Sequence, residues 1–289
     1  MHNKFHQTLL NNFGFKPTQN QLKVIGDLTD FTFLNLKKHV FVLKGYAGTG
    51  KTSIVGAMVK TIPEFNFTSV LLAPTGRAAK VLSNYSNQPA FTIHKMIYQL
   101  KSGGDGYTKF SIKQNKFQNT IFFVDEASMI GNGGGLSSVS WGQQKSLLDD
   151  LMEYVFSGIN CKLILIGDIA QLPPIGLEIS PALDEDELYK IYSLNLEFDE
   201  LTEVVRQKQD SGILELATFL RNKVLLKNFS LPLFNKNQKA DVKITSGYDL
   251  EDELDVAHSK YGNENVMVIC RSNKRVWRCY NLITFSNPR

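Results

Sequence analysis

Val40-Phe41-Val42-Leu43 runs into Gly45-Tyr46-Ala47-Gly48-Thr49-Gly50-Lys51-Thr52, and Ser53 to Thr61 behind it reads as a helix closed by Pro63. An apolar run, a glycine-rich loop and a helix in immediate succession are the context in which G-x-x-x-x-G-K-[ST] binds phosphate. The glycines let the backbone N–H groups of the segment from Gly45 to Ser53 close around the α- and β-phosphates. The helix start adds its positive dipole end, Lys51 reaches the β- and γ-phosphates, and the Thr52 hydroxyl ligates Mg²⁺. A glycine-rich turn that binds nothing has no need of Lys and Thr directly after its last glycine. ATP with Mg²⁺ is therefore the expected ligand.

The same punctuation recurs along the chain. Val70-Leu71-Leu72-Ala73 is broken by Pro74, Ile121-Phe122-Phe123-Val124 is followed by two acids, and Leu163-Ile164-Leu165-Ile166 by Gly167-Asp168. Runs that are apolar throughout belong to strands covered on both faces, so an α/β fold with a parallel central sheet flanked by helices is predicted. Gln19 to Phe33 carries Leu22, Ile25 and Leu28 at three-residue spacing and reads as an amphipathic helix.

Composition fits such a fold. With 289 residues, 43% apolar and 21% charged, the chain is neither disordered nor fibrous, and its length suits about two domains. No run of 18 apolar residues occurs, and Met1 to Phe15 lacks the pattern of a secretory signal, so a cytoplasmic protein without a membrane partner is expected. Cys161, Cys270 and Cys279 have neither the pairing of a disulfide framework nor zinc-ligand spacing. Residues 1–120 carry 15 Lys and Arg against 4 Asp and Glu, a local charge of +11, while the rest carries −7. The first 120 residues are thus the better anion-binding part.

Asp125 and Glu126 stand at the carboxyl end of an apolar run, where a parallel sheet places ligand-facing groups. Two acids after a strand are often no more than a capping pair. Beside the phosphate loop, Asp125 is expected to hold the Mg²⁺ shell and Glu126 to orient and deprotonate the attacking water. Gly167-Asp168-Ile169-Ala170-Gln171-Leu172-Pro173-Pro174 again follows a strand, and the Gln171 amide could touch the γ-phosphate.

GYAGTGKT, APTGRAAKVLS (73–83), TIHKM (92–96), VDEASMI (124–130), IGDIAQLPPIG (166–176) and LTEVVRQ (201–207) together resemble, in order, superfamily 1 DNA helicases of the RecD/Dda type, the 5′ to 3′ group. The resemblance covers roughly residues 17–280 and implies a RecA-like P-loop NTPase domain that hydrolyses ATP, grips single-stranded DNA and acts on DNA junctions. Within Thr18-Gln19-Asn20-Gln21, it implies that Gln21 reads the adenine edge. Pro74, Thr75, Gly76 and Arg77 resemble one DNA-contacting loop, Thr92 and His94 the next. Gln171 resembles the γ-phosphate sensor, and Arg206 the arginine that reaches the γ-phosphate across the cleft, making Lys51, Glu126, Gln171 and Arg206 the expected catalytic set.

Ser102 to Asn119, rich in glycine and polar residues, falls where this family carries a small strand-separating element, though a solvated hairpin has the same composition. Gly131 to Trp141, with four glycines and three serines, reads as a mobile loop. The expected division is 1–230 for the first RecA-like domain and 241–289 for an incomplete start of a second, opened by the strand Val266 to Cys270 and carrying Asn273 and Lys274. The family's later motifs have no counterpart before Arg289, so the chain reads as a fragment of a longer motor. Two rival readings are a nucleotide-gated single-stranded DNA-binding module with no motor cycle, and a small-molecule kinase, which would leave the DNA-loop motifs unexplained. Protein partners, oligomeric state and pathway, whether repair or recombination, are not written in these residues.

Overall fold

A computed structural model describes residues 1–102, 108–138, 144–203, 205, 211–226, 230, 241–272 and 274–275. Two compact units divide at Arg206/Gln207. In the first, α1 (His2–Phe13) and α2 (Gln19–Phe33) precede β1 (His39–Gly45), α3 (Lys51–Thr61) and β2 (Thr68–Ala73). Next come α4 (Gly76–Ser86), β3 (Ala90–Thr92), α5 (Ile93–Ile97), β4 (Tyr98–Ser102), β5 (Thr108–Ile112) and β6 (Thr120–Val124). A 3₁₀ turn (Ala127–Met129), β7 (Gly134–Ser138), β8 (Gln144–Ser146), α6 (Leu147–Phe156), β9 (Lys162–Gly167), α7 (Glu185–Tyr192) and β10 (Asn195–Leu201) complete the unit.

Six strands form one sheet in the order β10-β1-β9-β6-β2-β3, and every neighbouring pair is parallel. Because alternate side chains leave a strand on opposite faces, each central run feeds two cores. Phe41, Leu43, Leu71, Phe123, Ile164 and Ile166 pack under α1, α2, α3 and Leu82 of α4. Val42, Leu72, Phe122, Val124, Leu163 and Leu165 pack under α5, α6 and Leu188 of α7. Burial on both faces is the reason these strands read as unbroken apolar runs.

The parallel arrangement sends all six carboxyl ends to one edge. The phosphate loop leaves β1, Pro74 to Arg77 leave β2, His94 follows β3, Asp125-Glu126 leave β6, Gly167-Asp168 end β9, and Thr202 leaves β10. Segments scattered over more than 150 residues of sequence thereby share one face of the molecule.

The structure bears on four of the expectations. The stretch read as a mobile loop from Gly131 holds an antiparallel pairing of β7 with β8, and residues 139–143 lie outside the described set. The insertion expected at 102–119 takes the hairpin form, β4 pairing with β5 in register from Tyr98–Ile112 to Ser102–Thr108, but its first strand begins at Tyr98; residues 103–107 lie outside the described set. The first compact unit ends at Arg206, where the sequence reading put 230, and among the described residues no strand after Leu201 joins its sheet. Val266 to Cys270 is no strand in this structure, because no described segment pairs with it.

The second unit, Gln207–Arg289, contains α8 (Gly212–Leu225) and α9 (Leu250–Tyr261). Ser211 caps α8 by accepting from the Leu214 N–H at 3.2 Å, and its hydroxyl donates to Asp241 at 2.7 Å. Asn273 falls outside the described residues, while Lys274 lies within them.

Candidate functional site

At the end of β1 the loop turns on Gly48 (φ +81°) and Gly50 (φ +98°), left-handed positions that glycine occupies without steric penalty. Gly45 serves a different need: a Cβ there would lie 2.9 Å from the Leu201 carbonyl oxygen, so β10 can back the loop only against glycine. Thr49 is buried, and its hydroxyl donates to the Tyr46 carbonyl at 2.8 Å, folding the loop onto itself. Lys51 and Thr52 open α3, and the Lys51 ammonium donates to the carbonyls of Gly45 and Tyr46.

Asp125 follows β6, and its N–H donates to the Leu72 carbonyl at 2.9 Å. Burial pushes the Asp125 carboxyl up to about 6; the Glu126 charge adds to the rise, while the Glu126 N–H, donating at 2.9 Å, and the Lys51 ammonium oppose it. Glu126 has φ 55° and ψ 37°, a left-handed conformation that strains a glutamate. Ser180 locks the turn after it, with Oγ 2.8 Å from the Ala127 carbonyl oxygen and 2.6 Å from that of Ile130. A cleft of about 500 Å³ brings Lys51, Thr52, Asp125, Glu126, Asp168 and Gln171 together.

Gln21 stands in the same cleft in an unexpected role. Its Nε2 donates to the Thr49 carbonyl at 2.9 Å, and its Oε1 accepts the Thr18 N–H at 3.0 Å. The capping box of α2 and the phosphate loop thus engage the amide read from sequence as facing adenine. Asn20, which no motif singled out, clamps the end of β10 by donating to the Glu200 carbonyl at 2.9 Å and accepting the Thr202 N–H at 3.0 Å. Phe15, Val81 and Tyr85 supply apolar lining. They escaped the sequence reading because an aromatic on a linker and two exposed apolar residues on a helix carry no motif.

Thr75 caps α4, its Oγ1 accepting the Ala78 N–H at 3.2 Å, and Thr92 caps α5 through the Lys95 N–H at 3.2 Å. As acceptors, both hydroxyls keep their hydrogen for an outside oxygen. Gly76 and Arg77 are exposed, Pro74 and His94 half-buried, and the His94 ring lies 5.6 Å from that of Tyr98. These residues leave the neighbouring strands β2 and β3, beside the nucleotide cleft and outside its lining. Arg206 lies outside the described residues; Val205 just before it donates its N–H to the Gly48 carbonyl at 3.0 Å.

Thr52 and Asp125 offer hard oxygen donors, the chemistry Mg²⁺ selects, and no group of three or more His, Cys, Asp or Glu suited to a metal occurs among the described residues. No helix among the described residues is long and apolar enough to cross a membrane.

A parallel sheet whose carboxyl edge carries a phosphate loop and an adjacent acidic pair defines a P-loop NTPase domain. The chain belongs to the AAA domain family, which matches residues 31–227. It is 27% identical over 181 residues to the ATP-dependent RecD2 DNA helicase of Deinococcus radiodurans, covering 61% of this chain and 21% of that one. It is 29% identical over 197 residues to the ATP-dependent DNA helicase dda of Enterobacteria phage T4, covering 64% of this chain and 38% of that one. The chain therefore spans well under half the length of these relatives. A crystal structure of Pif1 helicase from Candida albicans aligns with 92% of this chain and 61% of its own, at 18% identity and a TM-score of 0.47.

Proposed function

We propose that this chain is the ATP-binding and hydrolysing motor portion of a DNA helicase, which couples hydrolysis to movement along single-stranded DNA and duplex unwinding at junctions. The observation that carries the reading is the convergence at one sheet edge of a phosphate-loop cleft and, on the next strands, two threonine-capped loops in the basic part of the chain. Helicase names among the relatives support the same reading. Direction, 5′ to 3′, follows from the resemblance.

In the working site the backbone from Gly45 to Ser53 cradles the phosphates and Lys51 exchanges its loop carbonyls for β- and γ-phosphate oxygens. Thr52 and Asp125 hold Mg²⁺, which supplies positive charge to the phosphates when bound. Glu126 orients the attacking water and takes its proton, Gln171 contacts the γ-phosphate, and Arg206 stabilises the charge that develops there. Gln21 contributes through the loop it braces. Pro74, Thr75, Gly76, Arg77, Thr92 and His94 hold the DNA backbone with hydroxyl, amide and guanidinium groups, so binding shows little base preference.

Calorimetric titration of Mg²⁺-ATP into the wild-type chain and Lys51→Ala, paired with single-stranded DNA titrations at rising salt, tests this. The expected results are binding lost in Lys51→Ala and a DNA affinity that falls steeply as salt rises. Equal ATP affinity in both proteins refutes the nucleotide site, and salt-independent DNA affinity refutes the backbone grip.

A further inference from the structure

Ser128 follows the acidic pair by two residues and sits on the 3₁₀ turn, 3% exposed. Its hydroxyl donates to Oε1 of Gln171 at 3.2 Å, across 43 residues of sequence. The two ends of this bond are held independently. On one side Ser180 ties the turn through the Ala127 and Ile130 carbonyls. On the other, the Gln171 N–H donates to the Asp168 carbonyl at 3.2 Å and the Ala170 N–H to the Asp168 carboxylate at 2.8 Å, fixing the bend that leaves β9. Gly167 permits the approach, since a Cβ there would lie 3.1 Å from the Ser128 nitrogen and 2.6 Å from Leu183 Cδ1.

We infer that Ser128 is a positioning residue for Gln171, anchoring its side-chain amide at the edge of the cleft; this rests on the proposed ATPase reading. A carboxamide has one accepting and one donating end, and only the NH₂ end can bond an anionic phosphate oxygen. With the Ser128 hydroxyl bonded to Oε1, the NH₂ end is left for the cleft that Gln171 shares with Lys51 and Glu126. Without the hydroxyl, the amide loses the anchor that ties it to the turn after the acidic pair. The bond also joins the strand end that carries the acids to the one that carries the sensor, so displacement of either turn is felt by the other.

Single-turnover phosphate release with Mg²⁺-ATP on wild type, Ser128→Ala, Gln171→Ala and the double variant tests the assignment, with melting temperature recorded for each. Ser128→Ala is expected to lower the hydrolysis rate about tenfold, as for one lost hydrogen bond, with ATP affinity unchanged. In the Gln171→Ala background the same substitution is expected to have no further effect, and Ser128→Cys, a weak donor of similar volume, to fall between. An equal loss from Ser128→Ala in both backgrounds, or a wild-type rate in Ser128→Ala, overturns the inference while leaving the ATPase reading intact. Absence of phosphate release from wild type overturns both.

Discussion

The Gln21 amide nitrogen donates to the Thr49 carbonyl at 2.9 Å, while its oxygen caps α2 through the Thr18 N–H at 3.0 Å. One side chain thus makes the first turn of α2 and the phosphate loop a single unit. Gln21→Glu keeps the capping acceptor and removes the donor. We expect the KM for ATP to rise about tenfold, since one buried hydrogen bond is lost and a charge is added beside the loop. Because the effect passes through the loop, GTP should lose as much as ATP. Steady-state kinetics with both nucleotides checks this, and a loss confined to ATP would return Gln21 to reading the base.

Glu126 is strained at φ 55°, in a turn that Ser180 pins. Asparagine tolerates the left-handed region far better. Glu126→Asn should therefore raise stability by about 0.5–1 kcal/mol in urea melts while removing the general base and slowing hydrolysis by about 10²- to 10⁴-fold. A variant both less stable and inactive would contradict this separation of roles.

Asp199 on β10 is buried beside Asp27 and pairs with Lys23. Burial, then the neighbouring Asp27, pushes its carboxyl up to about 6, against the pull of Lys23. A carboxyl raised on folding stabilises the protein below its unfolded pKa, and that contribution is lost as pH rises through 6. Asp199→Asn should thus raise the melting temperature at pH 8 relative to wild type, and the advantage should shrink as pH falls from 6 towards 4. Thermal melts across that range measure it; a constant difference would assign the effect to packing alone.

Lys162, 2% exposed at the start of β9, donates to the carbonyls of Phe31, Thr32 and Leu34 at 2.6–2.8 Å and closes the end of α2. Burial pulls its ammonium down to about 8, partly offset by Glu197. Lys162→Met keeps the stem volume and strands three carbonyls. A loss of about 3 kcal/mol in urea unfolding is expected, with ATP binding at the opposite sheet edge unchanged. A loss below about 0.5 kcal/mol would show that water replaces the ammonium at no cost.

The four central strands and α2 are legible because burial on both faces or on one stripe leaves a direct hydrophobic pattern. Strands β3 and β10 lie at the sheet edges. Their sequences, Ala-Phe-Thr and Asn-Leu-Glu-Phe-Asp-Glu-Leu, mix polar with apolar residues and hide that they pair at all. Among candidate site residues, the phosphate loop and the acidic pair carry a fixed spacing that chemistry demands. Asn20 and Ser128 act through backbone or amide partners 180 and 43 residues away, so no local pattern marks them. Gln21 lines the cleft, as a residue expected at the nucleotide would, but its hydrogen bonds depend on where the loop folds relative to α2.

The most direct test of a DNA-coupled ATPase is phosphate release by the 289-residue chain with saturating Mg²⁺-ATP, measured with and without single-stranded DNA of mixed sequence, at low and high salt, beside Glu126→Gln. The account predicts that DNA accelerates release, that raised salt removes the acceleration as backbone contacts weaken, and that Glu126→Gln binds ATP yet releases almost no phosphate. Hydrolysis indifferent to DNA, or wild-type turnover in Glu126→Gln, would contradict it.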